Sequence, residues 1–353
     1  MRKNMWVGLM LVLVLVISAC GGSKGNGNTG EQASTAPSSS AEATDSGAKE
    51  NYKISISQYV EHPSLDATRE GFIAALKDAG LVEGQNLTID FNTAQADQAN
   101  NQTLAQKIAA DKSDLALGIA TPSAQALVKE VTDRPVLFAA VTDPIDSKLV
   151  TNLDAPGGLV SGASDTNPAA ITELMDFVAA NFPNVKNVGL VINEGEPNAV
   201  VMAKIAEEAL AKHEIKLVRA AVSNTAEVQQ AAASLVGKVD ALYITLDNSV
   251  VSSLDTLIKV ANDNDLPFFA SDRDTVERGA FATIGFKYYD HGYQVGQMAV
   301  DILKNGKKPG DMKVTVPDKL DLILNMKAAK EQGITVTDEM KNQVKDAASN
   351  IIE

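Results

Sequence analysis

From Tyr52 onward, apolar and polar positions alternate in two rhythms. Short runs rich in β-branched residues, "YKISISQY", "NLTIDFN", "DLALGIA", "PVLFAAV" and "LVSGAS", are separated by stretches with apolar residues every three or four positions. The pattern resumes with "NVGLVIN", "IKLVRAAV", "VDALYITL", "LPFFAS" and "AFATIGF". Short apolar runs bounded by turn residues predict strands, and the longer period predicts helices. Helices are expected over residues 65–79, 98–111, 123–131, 197–213, 226–236 and 249–262. "VLFAAV" and "ALYITL" have no polar face, which suits strands covered on both sides. Strand–helix alternation with short connections implies right-handed crossovers and a parallel sheet.

The rhythm breaks at "TNLDAPGGLVSGASDTNP" (151–168), at "GFKYYDHG" (285–292) and near Asn325. Clusters of Gly, Pro, Asn and Asp of this kind mark hinges or boundaries. A single sheet of ten strands would be large, so two α/β lobes with several chain crossings are expected.

The N-terminus changes the picture. Arg2 and Lys3 precede an apolar run from Met5 to Ile17, then Ile17-Ser18-Ala19-Cys20. That run is short for a membrane span, which needs roughly 20 residues, and suits an export leader. The last four residues resemble the bacterial lipobox, whose cysteine is lipidated. Residues 1–19 are therefore expected to be a signal peptide and Cys20 the anchor to the cell membrane. The Gly/Ser/Ala/Thr/Asn-rich stretch that follows has little to bury, so 20–51 reads as a lipidated, disordered tether.

Cys20 is the only cysteine among 353 residues, which removes disulfides, thiol catalysis and cysteine-rich metal sites. Thirty-one Lys and Arg against 45 Asp and Glu give a formal charge of −14. With no basic blocks, nucleic acid is excluded as a partner. No G-x-S-x-G elbow or phosphate-cradling glycine loop is present. His62, His213 and His291 lack metal-ligand spacing, so no metal, cofactor or catalytic residue is expected. The sole tryptophan, Trp6, falls in the leader, leaving no indole face to stack on a sugar.

Ligands of open α/β sheets bind outside the carboxyl ends of the strands. Those ends carry Gln58 through His62, Thr121-Pro122-Ser123 and Thr142-Asp143-Pro144 in the first half. In the second half they carry "NEGEPN" (193–198), Asp247-Asn248-Ser249 and "SDRD" (271–274). Each cluster alone is explained by helix capping, since Ser, Thr, Asp and Asn favour N-caps and Pro the first turn. Jointly, facing lobes would aim all six at one cleft. The helix beginning at Pro122 would turn unpaired N–H groups toward that cleft, an anion site needing no arginine. Arg273 is the one guanidinium among these clusters, against Glu61, Asp143, Glu196, Asp247 and Asp272. An acidic cleft with an amide-lined anion corner fits a zwitterion, of which a free amino acid is the simplest.

"EHPSLD", "GIATPSAQA", "VTDPIDSKLV", "PGGLVSGASD", "GEPN", "LDNSVVSS" and "YYDHGYQVGQMAVDIL", in that order, resemble the ABC-transporter substrate-binding lipoproteins that include tryptophan- and tyrosine-binding members. The likeness runs from residue 52 to the late 320s. It implies a type I periplasmic-binding fold: two doubly wound parallel-sheet lobes joined by a three-crossing hinge. The first lobe would be 52–163 plus about 288–324, and the second 164–287 plus about 325–353. It also implies a monomer that delivers a small ligand to an ABC permease in the membrane. By this resemblance Thr121, Ser123 and Thr142 would hold the ligand carboxylate. Asp143, Asp247 and Asp272 compete for its ammonium, with Glu196 and Asn248 in support. Gln58, Glu61 and Asn198 join the site, and Tyr59 or Phe286 would flank the side chain. An aromatic amino acid is the expected ligand. A sugar or other solute receptor, or a sensing subunit for a kinase, would share the same architecture.

The expected mechanism is hinge closure, with ligand contacts from both lobes existing only in the closed form. Moving a hinge from mostly open to mostly closed takes about 5 kcal/mol of differential binding. Two or three charge-assisted hydrogen bonds, at about 1.5–3 kcal/mol each, supply it.

Overall fold

The computed structural model describes residues 51–318 and 320–353. The expected leader, Cys20 and the tether as far as residue 50 lie outside the described residues.

All ten expected strands are present. The first sheet is built from β1 (Tyr52–Gln58), α1 (Pro63–Asp78), β2 (Leu87–Thr93), α2 (Gln98–Ala110), β3 (Leu115–Ile119), α3 (Thr121–Glu130), β4 (Val136–Val141) and β5 (Val160–Ser164). Its strands are parallel in the order β2-β1-β3-β4-β5. Ile54, Ile56, Leu115, Leu117 and Leu137 are wholly buried, as strands with helices on both faces require.

The second sheet follows α4 (Pro168–Asn181) with β6 (Asn187–Asn193), α5 (Pro197–Ala211), β7 (Lys216–Val222), α6 (Val228–Leu235), β8 (Ala241–Ile244), α7 (Asn248–Val251) and α8 (Leu254–Asp263). It continues through β9 (Phe268–Ala270), α9 (Arg273–Arg278) and β10 (Ala282–Gly285). After α10 (Tyr288–Asn305) come β11 (Asp321–Asn325), α11 (Met326–Glu331), α12 (Asp338–Lys341), α13 (Ala347–Asn350) and β12 (Ile351–Ile352). The order is β12-β11-β10-β9-β8-β6-β7, parallel except that β11 runs against β10. Phe182 packs edge-on against Phe269 and Phe281, at centroid distances of 5.3 and 6.0 Å, beneath this sheet.

The chain passes between the sheets three times: after Ser164 into α4, after Gly285 into α10, and between Thr315 and β11. Ala163 and Thr315 form an isolated bridge, so the first and third crossings run side by side. Helix α10 leaves the second sheet and lies along α1 of the first. The contact is close because Gly71, Gly292 and Gly296 bring backbone against backbone. A Cβ on Gly292 would strike the Thr68 main chain, and one on Gly296 the Phe72 carbonyl.

Three stretches of the chain differ from the sequence expectation. The helix foreseen over 249–262 is two, α7 and α8, because Ser252 and Ser253 turn their hydroxyls onto the Asn248 and Thr225 carbonyls and interrupt the ladder. The helix foreseen from residue 226 opens as a single 3₁₀ turn, Thr225–Glu227. Finally, β11 and β12 were not foreseen. Residues 321–324, expected in the first lobe, pair with β10 in the second sheet.

Candidate ligand-binding site

Each sheet reverses its strand order beside its first strand, β1 or β6, and the crevices beyond those carboxyl ends are where such sheets take ligands. The two crevices meet in one narrow cavity. His62, Ser64 and Leu65 enter it from the start of α1, and Ala140 and Thr142 from the end of β4. From the second sheet come Asn198, Leu246, Asn248, Val251 and Asp272. Asp165, in the first crossing, and Tyr288, which opens α10, close it at the hinge.

The side chains are placed by their helix starts. Pro63 fixes the first turn of α1 and leaves His62 extended at its N-cap. Asp272 caps α9, its Oδ1 accepting from Thr275 N at 2.9 Å and its Oδ2 from Thr275 Oγ1 at 2.7 Å. Among the described residues two side-chain bonds span the lobes: Ser64 Oγ donates to Asp272 Oδ1 at 3.3 Å, and His62 Nε2 meets Asn248 Oδ1 at 3.4 Å.

The electrostatics are acidic, and burial desolvates the charged groups. Burial pushes Asp165 up to about 6, opposed by hydrogen bonds from Tyr288, Thr166 and Thr142. Burial likewise raises Asp272, and it lowers His62 to about 4, so that imidazole is neutral. No Lys or Arg lines the cavity. A second cavity shares Asp165 and is mostly apolar, walled by Ile171, Leu174, Met202, Tyr243, Ile284 and Phe286.

Of the residues singled out in the sequence, Thr142, Asn198, Asn248 and Asp272 line the interlobe cavity. Glu196 stands behind it, wholly engaged: Asn248 N, Asn248 Nδ2, Ser249 N and Ser249 Oγ all donate to it within 3.0 Å. Asp247 caps α7 and accepts from Asn193 N at 2.6 Å; burial, then Glu196, raises its pKa well above the carboxylate range. Thr121 is buried with its hydroxyl unpartnered, while Ser123 donates to Asn101 Oδ1 at 3.1 Å. Tyr59 donates to the Ala96 carbonyl, and burial pushes it up to about 12.

Neither these five nor the residues that follow line the cavity. Asp143 accepts from Ile145 N and Asp146 N, each at 3.0 Å, capping its own turn. Gln58 is held by Val60, Asp66 and Arg69. Glu61 is exposed. Arg273 is absent from the cavity lining; it pairs with Glu277 and fastens Asn350 and Ser349. His62, which ends the Gln58–His62 cluster, and Ser64, Asp165 and Tyr288 are polar lining residues that were assigned no role from the sequence. Only a pairing of the hinge break with the "YYDHG" helix start would have suggested the last of them with Asp165.

Two doubly wound lobes, three crossings and an enclosed polar cavity define a solute-binding protein of the type I periplasmic-binding fold. Residues 53–348 match the ABC transporter substrate binding protein family, and the chain belongs to it. Proteins of this family bind a substrate outside the cytoplasm without transforming it. A tyrosine-binding protein of Clostridioides difficile (strain R20291) is 42% identical over 277 residues, 78% of this chain and 79% of its own. The ABC domain of Streptococcus pneumoniae in complex with L-Trp superposes with a TM-score of 0.79 at 32% identity, covering 86% of this chain and all of that one. The ligand-free, open structure of a Clostridium difficile substrate-binding protein with adhesive properties gives 0.62 at 39% identity, covering 85% and 98%. No described helix is long and apolar enough to cross a membrane.

Proposed function

We propose that this protein is the extracytoplasmic receptor of an ABC importer and captures an aromatic amino acid by hinge closure. The observation that carries the reading is the interlobe cavity: two buried carboxylates, Asp165 and Asp272, face it with no protein cation beside them. Such a wall favours a ligand that brings a positive charge. The tyrosine-binding and L-Trp-bound relatives support an aromatic side chain.

Closure is supported by the superpositions. The fit to the L-Trp complex is better than the fit to the open, ligand-free relative, although that relative is closer in sequence. The bonds Ser64–Asp272 and His62–Asn248 exist only with the lobes together. In this reading residues 52–164 with α10 form one moving body, and 168–285 with the chain after 320 the other. Thr142 contacts the ligand, and Thr121 and Ser123 organise the first lobe's mouth. Cys20 carries the lipid, and a monomer hands its ligand to a membrane permease.

The test is a melting-temperature screen of the purified protein against amino acids, sugars and small peptides. A ligand at 100 times its Kd adds about 2.7 kcal/mol of stability. Tyrosine or tryptophan should raise the midpoint; stabilisation by sugars alone would overturn the reading.

A further inference from the structure

Two polar atoms in the cavity wall are buried and unpartnered: His62 Nδ1 on the first lobe and Asn198 Oδ1 on the second. Buried polar atoms are rarely left so, and each such atom asks for a partner. Their neighbours fix what kind.

Asn198 Nδ2 donates to the Leu246 carbonyl at 2.7 Å and to Glu196 Oε2 at 3.2 Å. The amide nitrogen is thereby spent, and the free atom is the oxygen, an acceptor. On the other side, Asn248 Nδ2 donates to Glu196 Oε2 at 2.6 Å, which turns Asn248 Oδ1 toward His62 Nε2. An amide oxygen only accepts, so His62 carries its proton on Nε2. In a neutral imidazole Nδ1 then offers a lone pair, and burial keeps the ring neutral. Both orphans are acceptors.

The rest of the polar wall has the same character. Asp165 and Asp272 are carboxylates, and two hydroxyls of the wall are turned onto them: Tyr288 Oη to Asp165 Oδ2 at 2.9 Å, Ser64 Oγ to Asp272 Oδ1. A cavity so furnished lacks donors. A carboxylate ligand group brings none, and a hydroxyl brings one. A primary ammonium brings three N–H donors and a positive charge.

We propose that His62 Nδ1 and Asn198 Oδ1, one on each lobe, accept two N–H bonds from the ammonium group of the ligand, with a buried cavity carboxylate beside them as counter-ion. The inference rests on the amino-acid reading of the cavity and names the atoms that select the amine. The two acceptors belong to different lobes, so the ammonium acts as a bolt across the cleft. Its bonds are complete only when the lobes are shut.

Calorimetry on the wild-type protein tests this with three sets of probes. These are L-tyrosine and L-tryptophan, their des-amino acids 3-(4-hydroxyphenyl)propanoate and indole-3-propanoate, and the amines tyramine and tryptamine. The des-amino acids should bind at least about 100-fold more weakly than the amino acids, because they leave both acceptors buried and unpaired. His62→Phe and Asn198→Leu, checked for an unaltered fold by their circular dichroism, should each weaken amino-acid binding about tenfold or more. Des-amino acids binding within about threefold of their parents would overturn the subsite while leaving the amino-acid reading intact. Binding of the amines but not the amino acids would keep the subsite and overturn that reading. Binding of none of the six would sink both.

Discussion

Tyr288 Oη donates to Asp165 Oδ2 across 2.9 Å, and the bond ties the second chain crossing to the first. It is a buried contact inside the hinge, and its partner lines both cavities. Tyr288→Phe keeps the ring and removes the donor. Losing a hydrogen bond to a buried charged group costs about 1–3 kcal/mol, and without it Asp165 should titrate above its present value of about 6. Urea unfolding and carboxyl carbon-13 shifts against pH check the two effects.

Asp274 supplies a pH dependence with a definite sign. Burial, then the charge of Asp272, raises it from 3.8 to about 7 in the folded protein. Between those values the folded state holds a proton that the unfolded state has lost, so stability falls as pH rises through that window. Above pH 7 the full cost of the buried charge remains; below 3.8 it is absent. Asp274→Asn removes the charge and can still accept the weak bond from Tyr288 N. It should melt higher than wild type at pH 8, by the equivalent of about 1–2 kcal/mol after allowance for solvent screening. The advantage should vanish near pH 4.

The α1–α10 contact should not tolerate a methyl group. On Gly292 it would overlap the Thr68 main chain, which cannot step aside without parting the helices. Gly292→Ala should lose about 1–3 kcal/mol, as overpacking does. A lower urea midpoint with an unchanged slope is the expected signature.

Ser64→Ala removes one cross-lobe bond while Asp272 keeps both bonds from Thr275. The closed form should lose about 1 kcal/mol, so ligand affinity should drop about fivefold. Small-angle scattering should give a larger radius of gyration at subsaturating ligand. An unchanged affinity would mean the bond plays no part in closure.

Much of the fold was legible because strands buried on both faces leave an unmistakable apolar run. The exceptions have physical causes. Strand β12 is two residues long, below any periodic signal, and β11 lies in a segment read only as a break. The site was legible in part because helix caps and ligand groups use the same residue types. Asp143 and Asp272 look alike in sequence, each beginning a turn or helix after a strand. Asp143 is spent within its own turn, whereas Asp272 faces the opposite lobe. Asp165 was passed over because a polar break reads as a linker, and only the return of α10 encloses it.

Strand β12 runs along the outer rim of β11, pairing Ile351 with Leu324 and Ile352 with Asn325. Arg273 fastens the preceding turn through Asn350 and Ser349. This short tail therefore works as a stopper: without it, the amide and carbonyl groups of β11 would be bare for another chain to pair with. A fluorescent reporter meant to turn this receptor into a biosensor belongs on a spacer beyond Glu353, never in place of the final isoleucines.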